Sequence, residues 1–144
     1  PLIFLPMEKF IKLFKSGTGQ NKGDILIPVA GIMEIKQESD TVINIFYAGN
    51  STAQAGYAIG SDGSATVSAQ TNVVQAIKIT HDAIVSNSSS MKNWLNDAVE
   101  KSLQLSWQQP VYTPQGLPAT AASYSVAVTI TAVELGVKAA ADVA

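Results

Sequence analysis

The chain has 144 residues and a formal net charge of −2, which is long enough for one domain with a single core but short for two. Hydrophobic residues make up 47% and charged residues only 14%, all nine basic residues are lysines, and cysteine is absent. These values exclude disulfides, thiolate metal ligands and bidentate arginine contacts to phosphate, and they argue against nucleic-acid binding.

The first six residues, "PLIFLP", are apolar and are followed almost at once by Glu8 and Lys9. The stretch lacks the basic residues that precede the apolar part of a signal peptide, so we interpret residues 1–6 as an N-terminal arm outside the core. The following "EKFIKLFK" predicts a strand, because its β-favouring residues end at a glycine cluster.

That glycine cluster, "SGTGQNKGD", has the composition of a phosphate-binding loop. A dinucleotide loop requires G-x-G-x-x-G at the start of a helix, whose N-terminal amides hold the phosphate. Here the spacing is G-x-G-x-x-x-G, and "DILIPVAG" follows with a strand pattern. We therefore predict a turn between the first two strands and no bound cofactor.

Further strand patterns follow the turn. Pro28 lacks a main-chain donor, which predicts an edge, a bulge or a break near residues 28–31. In "IMEIKQE", alternation places Met33 and Ile35 on one face, and "VINIFYAG" predicts the next strand. Residues 49–72 are mostly Gly, Ser, Ala and Thr, and we predict a long loop there.

Regular patterns return after this segment. "VVQAIKITHD" predicts a strand with Ile77, Ile79 and His81 on one face. A helix is predicted after "SNSSS", whose serines offer capping hydroxyls. Its apolar face consists of Met91, Trp94, Leu95, Ala98, Val99, Leu103 and Trp107.

The end of the chain is extended. Three prolines make residues 108–122 an extended arm or loop that cannot be helical. "SYSVAVTITAVEL" predicts a last strand over residues 124–135, and residues 136–144 are interpreted as a tail. Glu134 and Lys138 interrupt the final apolar run, which argues against a transmembrane helix and a membrane partner.

Taken together, the patterns predict one α+β domain over residues 1–144. It consists of a mainly antiparallel β-sheet with one amphipathic helix packed on it, long loops and extended termini. The alternation and the helical spacing carry this prediction, because each gives a strand or a helix one apolar face to bury.

His81 is the only histidine, and Asp82 stands beside it, which invites a triad or a metal site. Neighbours on a strand point to opposite faces, so Asp82 is not expected to orient His81. A zinc site would need mostly carboxylate ligands, and "GSDGS" lacks both the nucleophile-elbow spacing and the EF-hand series. We predict no catalytic, metal or cofactor-binding residues, and a non-enzymatic protein.

Arms and loops that bury little on their own are typical of subunits that become ordered on another chain. We expect residues 1–6, 49–72 and 108–122 to contact other chains, and the last strand can pair with a neighbour by β-augmentation. The candidate interaction residues are Leu2, Ile3, Phe4, Tyr57, Ile59, Tyr112 and Leu117.

The stretches "MEKFIKLFKSGTG", "DILIPVAGIMEIKQESDTVINIFYAG" and "AIKITHD", with a helix ending in "LQLSW", cover most of residues 7–109. In the character of these stretches and the order of their predicted elements, the chain resembles small virion structural proteins of tailed bacteriophages, especially those of marine and cyanobacterial hosts. The resemblance implies a capsid decoration or cement protein of the phage head that binds the major capsid protein and copies of itself, as a homo-oligomer. A minor head or tail component is the alternative, and no site residues are implied.

Two other classes of function stay open. A carbohydrate-binding or adhesin-like module predicts that Tyr57, Tyr112 or Trp107 lies along a solvent-facing groove. A small hydrolase predicts a cleft around His81, with a serine or a carboxylate within hydrogen-bond reach of the imidazole.

Overall fold

The computed structural model describes residues 8–54, 57–59, 61, 63, 65–67 and 70–139. These residues form nine strands and one α-helix, α1 (Ser90–Gln104), which confirms the α+β class. The strands are β1 (Phe10–Lys15), β2 (Gly23–Pro28), β3 (Ile32–Gln37), β4 (Val42–Gln54), β5 (Tyr57–Ile59), β6 (Ala65–Val67), β7 (Gln70–His81), β8 (Val111–Tyr112) and β9 (Ile130–Ala139).

Seven of these strands form one sheet in the order β2-β1-β9-β7-β4-β3, with β8 also beside β1. Neighbouring strands are antiparallel, except that β1 runs parallel to β8 and β9. Strands β5 and β6 pair separately as a small hairpin. The sheet is therefore mixed and mainly antiparallel, and its parallel step brings the first and last strands side by side.

The main core lies on the face of the sheet that α1 covers. Alternation sends every second side chain of a strand to this face, and α1 packs against β1 and β3. The buried cluster consists of Ile11, Leu13, Ile27, Val29, Ile35, Ile43, Ile45, Tyr47, Ile77, Ile79, Ile84, Met91, Leu95, Ala98, Val128 and Ile130. A smaller buried cluster contains Phe46, Val74 and Ala76, which have the opposite parity along β4 and β7.

Helix α1 begins and ends where the chain supplies partners for its free main-chain groups. The N-cap residue is Ser89, whose hydroxyl makes no cap hydrogen bond, whereas the Ser88 hydroxyl accepts one of 3.1 Å from the Ser90 amide. At the other end, the Lys9 ammonium donates to the carbonyl oxygens of Leu105 (2.9 Å) and Ser106 (2.8 Å). A cation at this position also suits the negative end of the helix dipole.

The buried side of α1 is narrower than predicted. The helix buries Met91, Leu95, Ala98 and Ser102, which lie three or four residues apart. Leu103 follows Ser102 and is turned roughly 100° away from it, so its side chain is 61% exposed. Trp107 lies beyond the last helical residue and is 65% exposed. Their predicted place on the apolar face is wrong.

A β-bulge in β3 changes the face on which one side chain lies. Met33 is an extra residue where β3 pairs with β4, so it is exposed. Ile32 and Ile35 both pack on the core, although they are three residues apart. The predicted shared face of Met33 and Ile35 is therefore wrong.

A second irregularity lies at the start of β9. Thr131 is an extra residue in the pairing with β7, so the buried side changes from Ile130 to Val133. The strand begins later than predicted, because Tyr124 lies in a turn and is 94% exposed.

Two segments predicted as irregular contain strand residues. Strand β4 continues to Gln54 and pairs with β7 from Gln70 onward, so the predicted loop at 49–72 is wrong over most of its length. In the same way β9 continues through residues 136–139, which corrects the predicted tail at 136–144. Small residues have low strand propensity, but main-chain pairing with a distant strand outweighs it. Residues 1–7 and 140–144 lie outside the described residues, and so does the predicted arm at 1–6.

The proline-rich segment is extended, as predicted, and its own chain orders it. Pro110 accepts a hydrogen bond of 2.7 Å from the Phe10 amide, and Pro118 accepts one of 2.9 Å from the Val128 amide. Pro28 also behaves as predicted, because β2 ends there.

Candidate interaction groove

An apolar groove opens between β2 and the inner face of β4, β7 and β9. It has a volume of about 360 Å³ and is lined by residues 25–28, Tyr47, Gln75, Ile77, Val133 and Leu135. Apart from the Tyr47 hydroxyl and the Gln75 amide, the side chains of these lining residues are apolar. A volume of about 300–1,000 Å³ is typical of ligand pockets, so the groove can hold several apolar side chains.

Leu26 and Leu135 leave apolar surface exposed at this groove. They lie in β2 and β9, and their side chains are 49% and 83% exposed. Single exposed apolar residues are common on proteins, but exposed residues that line one apolar groove indicate a binding surface. Leu135 faces the groove because the extra Thr131 reverses the parity of β9.

Tyr47 closes the inner part of the groove and ties its two walls together. The side chain is buried, and its hydroxyl donates a hydrogen bond of 2.7 Å to the Pro28 carbonyl oxygen. Burial disfavours the phenolate and raises the pKa of Tyr47 from 10.0 to about 12. The hydroxyl therefore stays neutral and holds β4 against β2.

The strands that form the groove also carry unpaired main-chain edges. Strand β2 is the first strand of the sheet order, so one of its edges has no partner among the described strands. Strand β9 pairs with β1 only at Lys15 and Ile130, so beyond Ile130 its only described neighbour is β7. Unpaired edges next to an apolar groove suit an extended peptide segment.

A second cleft, of about 240 Å³, lies between β1 and the proline-rich segment, and its lining mixes charged, polar and apolar residues. Trp94 lines this cleft, and its indole nitrogen donates 2.9 Å to the Gln115 carbonyl oxygen. Packing and this bond therefore account for Trp94. Pro114 also lines the cleft, and since it cannot donate to β1, the short pairing of β8 ends before it.

The structure places only part of the predicted interaction set. Tyr112 and Leu117 are partly buried against the core, and Leu117 also lines the second cleft. Leu2, Ile3 and Phe4 lie outside the described residues. Tyr57 and Ile59 belong to β5, whose side chains are also outside the described part. None of the seven lines the groove in the described structure, and their contacts with other chains stay predictions.

Of the aromatic residues predicted for a carbohydrate site, Tyr112 and Trp107 have described side chains, and that of Tyr57 lies outside the described part. Trp107 is exposed, whereas Tyr112 is half-buried against the core. Neither side chain lines the groove or the second cleft.

His81 is buried and serves the fold. Its Nδ1 lies 2.7 Å from the Asp82 carbonyl oxygen, to which it donates, and its Nε2 lies 3.1 Å from the Gln37 side-chain nitrogen. The Asp82 carboxylate instead accepts from the Thr129 amide (3.0 Å) and hydroxyl (2.8 Å). The expected separation of the Asp82 carboxylate from His81 is confirmed. The open cleft that a hydrolase requires around His81 is contradicted, since this residue is only 2% exposed.

The glycine-rich stretch connects β1 and β2, as predicted. Gly19 and Gly23 have φ angles of 60° and 154°, which favour glycine, so the turn geometry explains both residues. Only a three-residue 3-10 turn is present there, and no helix follows it. A shallow depression beside the turn is lined by Lys15, Lys22 and Asp24. The negative charge of the Asp24 carboxylate makes this depression unfavourable for binding an anion such as phosphate.

Sequence reasoning missed the groove because its walls come from four strands that are distant in the chain. The sequence did contain one signal that Leu135 changes face. From 124 to 132 the larger apolar residues stand at even positions, but they are followed by Val133 and Leu135 at odd positions. Such a change of parity marks a bulge, after which the opposite set of side chains faces the core.

Comparisons with protein-family models, with curated proteins and with solved structures gave no match. Within the described residues, no group of three or more His, Asp or Glu side chains could hold a metal ion. No helix in that part of the chain is long and apolar enough to cross a membrane.

Proposed function

We propose that this chain is a non-enzymatic structural subunit that functions by binding other protein chains. The observation that carries the proposal is the apolar groove with Leu26 and Leu135 exposed in its lining. A contiguous apolar surface of this kind is typical of protein interfaces.

The composition supports the same proposal. Charged residues make up only 14% of the chain, so long-range electrostatic attraction contributes little to partner choice. The unpaired edges of β2 and β9 add main-chain donors and acceptors beside the groove. Recognition would then combine apolar burial with strand pairing.

At its most specific, the proposal is a capsid decoration or cement protein of a tailed bacteriophage head. It would bind the major capsid protein and copies of itself, and stabilise the shell of the virion. The support is the resemblance of most of residues 7–109 to small phage structural proteins. The mixed, mainly antiparallel sheet with one helix is compatible with such a subunit.

The test is binding of the purified chain to intact and to emptied phage heads, measured by co-sedimentation. We expect saturable binding to heads, and we expect Leu135→Glu to weaken it, because a carboxylate would then lie in the apolar groove. Leu103→Glu is the matched control, since it changes an exposed leucine on α1 that does not line the groove. Binding to purified tails instead of heads would favour a tail component, and binding to neither would overturn the proposal.

A further inference from the structure

We propose that the groove binds residues 2–5 of a second copy of this chain. This inference deepens the proposed function, on which it rests for the idea that the groove is a protein-binding surface. It names the segment that binds in the groove and the molecule that supplies this segment.

The chemistry of the groove defines the occupant. The lining offers one amide, from Gln75, and one hydroxyl, from Tyr47, which already donates to Pro28. Among the residues whose side chains are described, no lysine, aspartate or glutamate lines the groove, so a charged segment would lose hydration without gaining a partner there. The occupant should be apolar, uncharged and extended enough to follow β2.

One segment of the chain fits this description. Residues 2–5, "LIFL", are the longest run of consecutive large apolar side chains in the sequence, and the segment up to Met7 has no charged side chain. Leu5 precedes Pro6, and a residue before proline favours the extended region of backbone geometry. Residues 2–5 therefore match the groove in polarity and favour the backbone shape that a strand edge accepts.

The direction of β1 favours a second copy over the same chain. The Val29 amide donates a hydrogen bond of 2.9 Å to the Lys9 carbonyl oxygen, so Lys9 already lies beyond the Pro28 end of β2. The groove extends back along residues 25–28, in the opposite direction. Seven extended residues span about 23 Å, which is enough to reach a neighbouring molecule without a reversal.

The test is a complementation experiment with the full chain. Phe4→Glu damages the segment and leaves the groove intact, whereas Leu135→Glu damages the groove and leaves the segment intact. Each variant alone should have a dissociation constant for self-association raised by at least about tenfold, measured by sedimentation velocity over a concentration series. Mixed together, the two should associate, because the segment of the Leu135→Glu chain can enter the groove of the Phe4→Glu chain.

Native mass spectrometry with one variant isotope-labelled identifies this mixed species. Leu103→Glu should associate like the unchanged chain, and circular dichroism should show that every variant folds. Unchanged self-association of both variants, or no mixed species, would overturn the inference. A monomeric unchanged chain would also overturn it, and if both variants then lowered its thermal stability, the segment would occupy its own groove.

The two proposals fail separately. Head binding without self-association through the groove would reject this inference and leave the proposed function standing. Self-association that follows the complementation pattern, without any head binding, would support this inference and reject the phage-head function.

Discussion

Helix α1 covers one part of the inner face of the sheet, whereas the groove part of the same face has no cover among the described residues. On the side of α1 that faces the sheet, Leu95 is 1% exposed and belongs to the core. In the groove, Leu135 is 83% exposed, although its strand neighbour Val133 packs on that core. A leucine on the covering helix is thus buried, whereas a leucine on the uncovered part of the sheet is exposed.

The difference shows that strand pairing alone does not bury a side chain in this fold, because the strands are paired in both parts. Burial depends on whether another element packs on the face of the sheet. Strands β7 and β9 are paired through both parts. Among the described residues, the groove part has no element such as α1 that would remove its apolar side chains from water. A partner chain that packs on this exposed apolar surface could bury it in the way that α1 buries the covered part.

The prediction with the largest expected effect tests this comparison directly, because a leucine is replaced by alanine in each of the two parts. Leu95→Ala should lower the free energy of unfolding by about 2–5 kcal/mol, because it leaves a cavity under α1. Leu135→Ala should change it by no more than about 0.5 kcal/mol, because the side chain is already in water. Urea denaturation at concentrations where light scattering gives a monomer measures both. Equal losses would contradict the assignment of an open groove.

A second prediction concerns Tyr47, which lies where the two parts meet. The folded protein holds the phenol proton up to about pH 12, whereas the unfolded chain releases it near pH 10.0. The contribution of Tyr47 to the free energy of unfolding is therefore fully present below pH 10 and is lost as the pH rises towards 12. The loss is on the order of 2 kcal/mol.

The matched variant for this prediction is Tyr47→Phe, which keeps the ring and removes the titrating group. Other groups that titrate at alkaline pH are shared by both proteins and cancel in the difference. Urea denaturation as a function of pH should therefore give a steeper alkaline loss for the unchanged chain. Parallel curves would show that burial does not hold the Tyr47 proton.

The elements that sequence predicted well are those whose signal is local. The strand with Ile77, Ile79 and His81 on its buried face is confirmed, because alternation over a few residues defines both its type and its inner side. The end of β2 at Pro28 is confirmed for a similar reason, since a missing main-chain donor limits strand pairing whatever the partner.

The features that could not be predicted depend on pairing between distant strands. Residues 49–54 have loop composition, yet most of them pair with β7, and no local pattern reveals that partner. The bulges at Met33 and Thr131 reverse which side chains are buried, and the groove exists only after the second of them. The parity change before Leu135 could have indicated its face, but the pairing of distant strands that builds the groove has no local signal.

The smallest effect we predict tests how α1 is held over the covered part. Lys9 donates to the carbonyl oxygens of Leu105, Ser106 and Gln109 after the helix. Lys9→Met keeps most of the apolar stem and removes the cation, so we expect the free energy of unfolding to fall by about 1–2 kcal/mol. Lys101→Met is the control, because Lys101 forms an exposed ion pair of 2.9 Å with Asp97, and such pairs contribute little. If the two substitutions lowered stability equally, the Lys9 contacts would count as ordinary surface contacts, and packing alone would hold the helix in place.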